Sequence, residues 1–198
     1  MGAGYYDPHP LLLLEEPLAL VGHPGSGIAQ TGRMISGRTG LPFNDIARTV
    51  EAMAGRSLAR VVMESGIESL RKKEIEALLQ ALARRPCGVI VLESGSFERA
   101  DFGRWLQERC RVVHVRRPAA VLLARIRQGI EHHPGSFPDF LVATPNSEEE
   151  LAAHWAPRDS QLDSIEVCLE AGDEHPHRIA EHILESLDRL MSVEQTRP

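Results

Sequence analysis

The sequence predicts an α/β fold, a three-layer α/β/α sandwich in which helices cover both faces of a parallel sheet. Short continuous apolar runs, typical of buried parallel strands, alternate with longer segments of helical periodicity. Strands that alternate with helices in this way form a parallel sheet with helical connections. The length of 198 residues suits one domain with a sizeable core.

The first half of the chain contains two predicted strands. Leu18–Val21 is a short apolar run that ends at a glycine, and Gly88–Leu92 is a second run of the same kind. Between them, Ser57 is a suitable N-cap for one of four helices. The helical patterns cover Ile28–Thr39, Ile46–Ala54, Leu58–Glu64 and Ile67–Arg84.

The second half continues the alternation of strands and helices. Pro118 is favourable in the first turn of the helix that it begins, because its missing N–H would have no partner there. The strands are predicted at Arg111–Val115 and Ile165–Leu169. The helices are predicted at Arg99–Glu108, at 118–128, at Glu148–Trp155 and at Arg178–Met191.

Two segments lack a regular pattern. Residues 1–16 are rich in glycine and proline, which predicts a flexible N-terminal segment ahead of a single domain over 17–198. Residues 129–147 carry three prolines and two glycines, and they are too numerous for an ordinary connection. We therefore expect a lid or binding loop over 129–147.

The composition excludes several classes of function. A formal net charge of −6 argues against a nucleic-acid-binding protein, which needs a basic face. No stretch approaches the ~20 apolar residues that span a bilayer, and the run Leu11–Leu14 is too short for a signal peptide. Three widely spaced cysteines suggest neither a disulfide framework nor a zinc site. We expect a cytoplasmic protein that binds neither nucleic acid nor membrane.

The turn after the first predicted strand has the glycine spacing of a phosphate-binding loop. That loop has the pattern G-x-x-x-x-G-K-[ST] between a strand and a helix, and its backbone N–H groups hold phosphate oxygens. Here the glycine positions are held by Gly22 and Gly27, with Gly25 and Ser26 between them. We expect this backbone to accept an anion.

The same loop lacks the two side chains that follow the second glycine. Ile28 stands in the position of the lysine that reaches the phosphates, and Ala29 stands in the position of the hydroxyl that binds magnesium. The only lysines of the chain, Lys72 and Lys73, belong to another predicted helix, and Arg33 is expected to face away from the loop.

A second pattern begins after the loop and needs no gap between Gly32 and Arg71. It resembles the shikimate kinase pattern I-E-x-x-x-G-x-S-I followed by G-E-x-x-F-R-x-x-E, and its residues are Val50-Glu51, Gly55-Arg56-Ser57-Leu58, Gly66 and Leu70-Arg71-Lys72-Lys73-Glu74. From Leu18 to about Leu187 the chain is similar to the shikimate kinase family. This resemblance implies a five-stranded parallel sheet of order 2-3-1-4-5 and a P-loop fold.

The resemblance also assigns roles to single residues. Asp45 corresponds to the first aspartate of the family's D-x-D, near the magnesium ion, whereas the second aspartate, which holds shikimate hydroxyls, falls on Ala47. Arg71 and Arg158 correspond to arginines that bind the shikimate carboxylate. The family's G-G-G turn, which faces the substrate, falls on Glu93-Ser94-Gly95.

The lid departs from the family as well. Its arginine, which stabilises the transferring phosphate, has no counterpart, because no arginine occurs between Arg127 and Arg158. Loss of one such arginine costs ~10³-fold or more in rate, and loss of several cooperating groups brings the rate close to background. These departures predict lost ATP-dependent phosphoryl transfer.

Two functions remain open. The first is a non-catalytic protein that binds a small anionic ligand or a protein partner, with no cofactor expected. The second is an active small-molecule kinase that uses ATP and magnesium through a phosphate site rebuilt with arginines. The sequence predicts no oligomeric state.

Simpler structural roles are also open for several of these residues. Arg71 is equally suited to a salt bridge with Glu74 or Glu68, and Asp45 is suited to the start of a helix. His114 is expected to be a buried strand residue, and Trp155 is expected to be part of the core.

Overall fold

A computed structural model describes residues 15–133, 137 and 145–194, of which 188–194 are described by their backbone alone. Its centre is a five-stranded sheet in which every pairing is parallel and the strand order is β2-β3-β1-β4-β5. The strands are β1 (Leu18–Gly22), β2 (Phe43–Asp45), β3 (Val89–Glu93), β4 (Arg111–Arg116) and β5 (Val167–Glu170).

Eight α-helices and one 3₁₀ helix of the described residues connect and cover these strands. The 3₁₀ helix is Ser94–Glu98, directly after β3. The α-helices are α1 (Ile28–Thr39), α2 (Ile46–Ala54), α3 (Leu58–Ser65), α4 (Ile67–Leu82), α5 (Phe102–Gln107), α6 (Ala119–His132), α7 (Glu148–Leu162) and α8 (Pro176–Glu194).

Two apolar clusters lie on opposite faces of the sheet. On one face, α2, α3, α4 and α5 pack against side chains such as Ala19 and Ile90. On the other face, α1 and α8 pack against side chains such as Leu18 and Leu20. Successive side chains of a strand point to opposite faces, so β1 contributes to both clusters. The predicted three-layer α/β/α sandwich and the sheet order are confirmed.

The largest differences from the prediction are two elements that were not predicted and two helices that extend beyond their predicted ends. The sequence patterns predicted neither β2, which has three residues, nor the 3₁₀ helix. Helix α6 continues to His132, four residues beyond its predicted end. Helix α7 continues past Pro157 to Leu162, because Leu162 adds a buried side chain to the core.

The carboxyl ends of the strands gather the loops that matter for function. Gly22 at the end of β1 is paired in register with Glu93 at the end of β3. The glycine-rich loop, the N-terminus of α1 and the 3₁₀ helix therefore share one edge of the sheet. In open α/β sheets, ligands bind outside this edge.

Two predicted segments fall mainly outside the described residues. These are the flexible N-terminal segment, of which only 15 and 16 are described, and the lid, of which 134–136 and 138–144 are not described. Within the described part of the chain, no helix is long and apolar enough to cross a membrane.

Candidate functional site

A cleft of about 780 Å³ opens at the carboxyl edge of the sheet. This volume lies within the range of small-molecule pockets. The glycine-rich loop forms one side, and α2 and α4 form the other. Both charge types line it: the arginines are Arg33, Arg48, Arg71 and Arg125, and the carboxylates are Asp45, Glu51, Glu74 and Glu93.

The loop backbone adopts conformations that require glycine. Gly25 and Gly27 have φ values of 84° and 83°, in a backbone region that residues with a Cβ rarely adopt. Within the turn, the N–H of Ser26 donates to the carbonyl of His23 at 3.0 Å. Gly27 is the N-cap of α1, so N–H groups of the first helical turn point into the loop.

The two positions after Gly27 carry apolar side chains. Ile28 is 4% exposed and belongs to the apolar cluster under α1, while Ala29 packs at the edge of that cluster. Both residues line the cleft. They offer it hydrocarbon where the general loop pattern has an ammonium group and a hydroxyl.

Arg117 holds the loop from behind. Its Nε donates to the carbonyl of Ser26 at 2.7 Å, and its other nitrogens donate to the carbonyls of Gly172 at 2.7 Å and Glu174 at 2.8 Å. Burial, together with the nearby charge of Arg125, lowers the pKa of Arg117. This guanidinium joins the loop to the segment between β5 and α8.

His23 connects the loop to helix α7. Its Nε2 lies 2.8 Å from Oδ1 of Asp159, and its Nδ1 lies 2.8 Å from Oγ of Ser94. Its ring stacks on Trp155, with centroids 4.0 Å apart and planes 5° apart. Ser94 Oγ also accepts from Nη1 of Arg158 at 3.4 Å. Trp155 is buried, as predicted, and in addition it supports the loop.

On the opposite side of the cleft, Arg71 and Glu74 form a buried pair. Nη1 of Arg71 donates to both carboxylate oxygens of Glu74 at 3.1 Å, which is the structural role considered for Arg71. Ser96 Oγ donates to the same carboxylate at 3.2 Å. Gly95 lies against the guanidinium, because a Cβ at Gly95 would be 2.0 Å from Nη1 of Arg71.

Arg158 lies behind the cleft. Its Nε donates to Oε1 of Glu98 at 2.9 Å, and its Nη2 donates to the same oxygen. The other oxygen of Glu98 is 3.9 Å from Nε of Arg71. The structure thus connects Arg71 and Arg158 through one carboxylate.

Asp45 performs the structural role that suits the start of a helix. It is the N-cap of α2, and its Oδ1 accepts from the backbone N–H of Arg48 at 3.2 Å. Its Oδ2 is 3.9 Å from Nη2 of Arg33. Arg33, which was expected to face away from the loop, has its guanidinium beside Asp45 and over the ring of Phe43, and it lines the same cleft.

The sequence reasoning missed the network that His23, Ser94 and Glu98 form. A signal existed for two of them, since His23 follows Gly22 and Ser94 follows Glu93 at the ends of paired parallel strands. Glu98 has no such signal, because the 3₁₀ helix that places it was not predicted.

Comparison with known proteins identifies the family of this chain. A family model described as shikimate kinase matches residues 24–188. Shikimate kinase of Cereibacter sphaeroides is 27% identical over 183 residues, which are 92% of this chain and 88% of that protein. Shikimate kinase of Symbiobacterium thermophilum is 33% identical over 153 residues, which are 76% of this chain and 85% of that protein.

Solved structures agree at the level of the fold. Shikimate kinase from Acinetobacter baumannii in complex with shikimate has a TM-score of 0.75 and 20% identity, covering 92% of this chain and 97% of that chain. A gluconokinase from Sinorhizobium meliloti has a TM-score of 0.60 and 17% identity, covering 96% of this chain and all of that one (100%). The fold, the family model and the sequence relatives lead to one conclusion: the chain belongs to the shikimate kinase family.

Proposed function

We propose that this protein is a non-catalytic member of the shikimate kinase family that has lost ATP-dependent phosphoryl transfer. In this role its cleft binds a small anionic ligand, or its surface binds a protein partner. The observation that carries the proposal is the buried side chain of Ile28, which packs under α1 in the position where the loop pattern has its lysine.

Magnesium does not fit the residues that are present. Ala29 has no oxygen to offer in place of the loop's hydroxyl. The carboxylate of Asp45 caps α2 and lies between Arg33 and Arg48, at 3.9 Å and 3.7 Å. A carboxylate with these partners is a poor ligand for a hard cation, which competes with them for the same oxygens.

The arginines of the cleft do not replace the lost lysine as they stand. Each of the four has a carboxylate within 4 Å, so its charge is already partly neutralised. The pairs are Arg33–Asp45 at 3.9 Å, Arg48–Asp45 at 3.7 Å, Arg71–Glu74 at 3.1 Å and Arg125–Asp173 at 2.9 Å.

The features that the glycine-rich loop retains favour the binding of a small anion. The loop still presents backbone N–H groups at the N-terminus of a 12-residue helix, where the helix dipole stabilises negative charge. Gly25 and Gly27 keep the close backbone approach that such binding needs. These features support anion binding without supporting phosphoryl transfer.

Two measurements test the proposal. In an assay with shikimate and magnesium-ATP, we expect no product above the uncatalysed background, whereas kinases turn over at about 1–100 s⁻¹. In a thermal-shift series, we expect no magnesium-dependent stabilisation by ATP. A ligand at a hundredfold excess over its Kd stabilises by about 2.7 kcal/mol, so bound nucleotide would be obvious. Turnover, or a magnesium-dependent shift with ATP, would refute the proposal.

The second candidate is an active small-molecule kinase with a phosphate site rebuilt from arginines. The side chains of Arg33 and Arg125 line the cleft, and Arg117 contacts the loop, which favours this candidate more than the sequence did. If it is correct, Arg125→Gln lowers a measurable transfer rate by ~10³-fold, by analogy with other phosphate-contacting arginines. If the first candidate is correct, there is no rate to lose.

A further inference from the structure

Two buried arginines from different helices converge on one carboxylate of the chain itself. Arg158 of α7 is 1% exposed, Arg71 of α4 is 7% exposed, and the side chain of Glu98 is 40% exposed. Glu98 accepts two hydrogen bonds from Arg158, and its second oxygen is 3.9 Å from Nε of Arg71. The carboxylate therefore lies at the surface, above two guanidinium groups that are almost inaccessible.

The 3₁₀ helix after β3 places Glu98 at this point. It is the last residue of that helix, and at the helix end the N–H of Arg99 donates to the carbonyl of Ser96 at 3.3 Å. The other face of Arg71 is held by Glu74. Among the described residues, only Arg158 and Arg71 contact the carboxylate of Glu98, and this side chain is 40% exposed, so rotation about its side-chain bonds brings the carboxylate into water.

We propose that Glu98 is a specificity-determining residue whose carboxylate occupies the position of a ligand carboxylate between Arg71 and Arg158. This inference rests on the proposed anion-binding function of the cleft. Two carboxylates cannot share these guanidinium groups at low cost, because like charges in contact repel. A carboxylate ligand binds only when Glu98 has rotated out, and its apparent affinity falls by the fraction of molecules in that state.

The first experiment compares the unmodified protein with Glu98→Ala and Glu98→Gln in calorimetric titrations with shikimate. We expect at least tenfold tighter binding to both variants. Methyl shikimate, which lacks the negative charge, should show no such gain. Glu108→Gln removes a carboxylate that is exposed and pairs only with Arg109 among the described residues, and we expect it to bind shikimate as the unmodified protein does.

The second experiment remains decisive if the alanine variant is unstable. Removing Glu98 takes away the carboxylate that accepts two hydrogen bonds from the buried guanidinium of Arg158, and acetate has the shape of the deleted group. We expect sodium acetate to raise the Tm of Glu98→Ala more than sodium chloride of equal ionic strength does. The unmodified protein and Glu98→Gln should respond equally to both salts.

The proposal is overturned if shikimate binds both Glu98 variants no more tightly than the unmodified protein, or binds none of the three. It is also overturned if methyl shikimate gains as much affinity for the Glu98 variants as shikimate does, or if acetate does not raise the Tm of Glu98→Ala more than chloride does. These failures are distinct from failure of the proposed function, which is judged by product formation from magnesium-ATP in the unmodified protein.

Discussion

Nε2 of His23 lies 2.8 Å from Oδ1 of Asp159, which ties the phosphate loop to helix α7 across 136 positions of sequence. Asp159 neighbours Arg158, whose Nη1 donates to Ser94, the other partner of His23. The loop and Arg158 are therefore parts of one hydrogen-bonded chain. Because Arg158 also binds Glu98, this chain reaches from the loop to the arginine pair.

The first prediction concerns His23→Phe. Phenylalanine keeps an aromatic ring against Trp155 but removes both hydrogen bonds, and Ser94 is fully buried. Ser94 keeps the hydrogen bond from Arg158 and loses the one to His23, and loss of a buried hydrogen-bond partner costs about 1–3 kcal/mol. We expect the free energy of unfolding, measured in urea, to fall by about that amount.

His23→Ala separates the ring from the hydrogen bonds. It should cost a further 0.5–1.5 kcal/mol, roughly the contribution of an aromatic pair. A His23→Phe protein as stable as the original would show that the hydrogen bonds contribute nothing.

The fold was predictable where apolar runs are long and continuous. β1 and β3 are buried along almost their whole length, so their sequences show an unbroken apolar pattern. β2 escaped because it has three residues, including Asn44 and Asp45, which are depleted in strands. It forms because Phe43 pairs with Val89 beside an already stable strand.

The site was predictable only where a motif fixes the spacing. Ile28 and Ala29 could be placed because the glycines before them define the loop. The contact between Arg158 and Glu98 spans 60 positions, and it depends on a 3₁₀ helix that has no clear pattern. Long-range ion pairs of this kind follow from the tertiary structure and not from local sequence.

The second prediction concerns Arg117→Ala. This change removes the donors of three carbonyls, at Ser26, Gly172 and Glu174. We expect a loss of roughly 2–4 kcal/mol, since hydrogen bonds from charged groups contribute about 1.5–3 kcal/mol each and water replaces some of them. Hydrogen exchange should accelerate at the loop and at 171–175.

Arg116→Ala is the matched control, because Arg116 pairs with Asp163 and Glu170 at the surface. Surface pairs contribute about 0–1 kcal/mol. Equal effects of the two variants, or unchanged exchange at the loop in Arg117→Ala, would contradict the role given to Arg117.

The third prediction is a pH dependence from His114, which is buried in β4 as the sequence predicted. Burial, with a smaller contribution from Arg116, lowers the pKa of His114 to about 4 from the ordinary 6.5. Between these pH values the unfolded chain binds a proton that the folded protein does not. The contribution of neutral His114 to the free energy of unfolding is therefore complete above pH 6.5. It is lost as the pH falls toward 4, and the total loss is about 3 kcal/mol.

His114→Gln removes this titration. Unfolding in urea at pH 7.5, 6, 5 and 4.5 should show a smaller loss of stability for the variant than for the original protein. Parallel pH profiles for the two proteins would contradict the prediction, whatever their absolute stabilities.

The last prediction uses two glycines and the same substitution. In Gly95→Ala the new methyl group would lie 2.0 Å from Nη1 and 2.1 Å from Cζ of Arg71, so the guanidinium must leave its place beside Glu74. Overpacking of this kind costs about 1–3 kcal/mol.

In Gly37→Ala, within the exposed part of α1, the methyl group meets nothing within 4 Å. Alanine is the better helix former there by about 0.5–1 kcal/mol, so this variant should be more stable than the original. Opposite signs in urea unfolding are expected, and a Gly95→Ala protein that is not destabilised would show that Arg71 is free to move without cost.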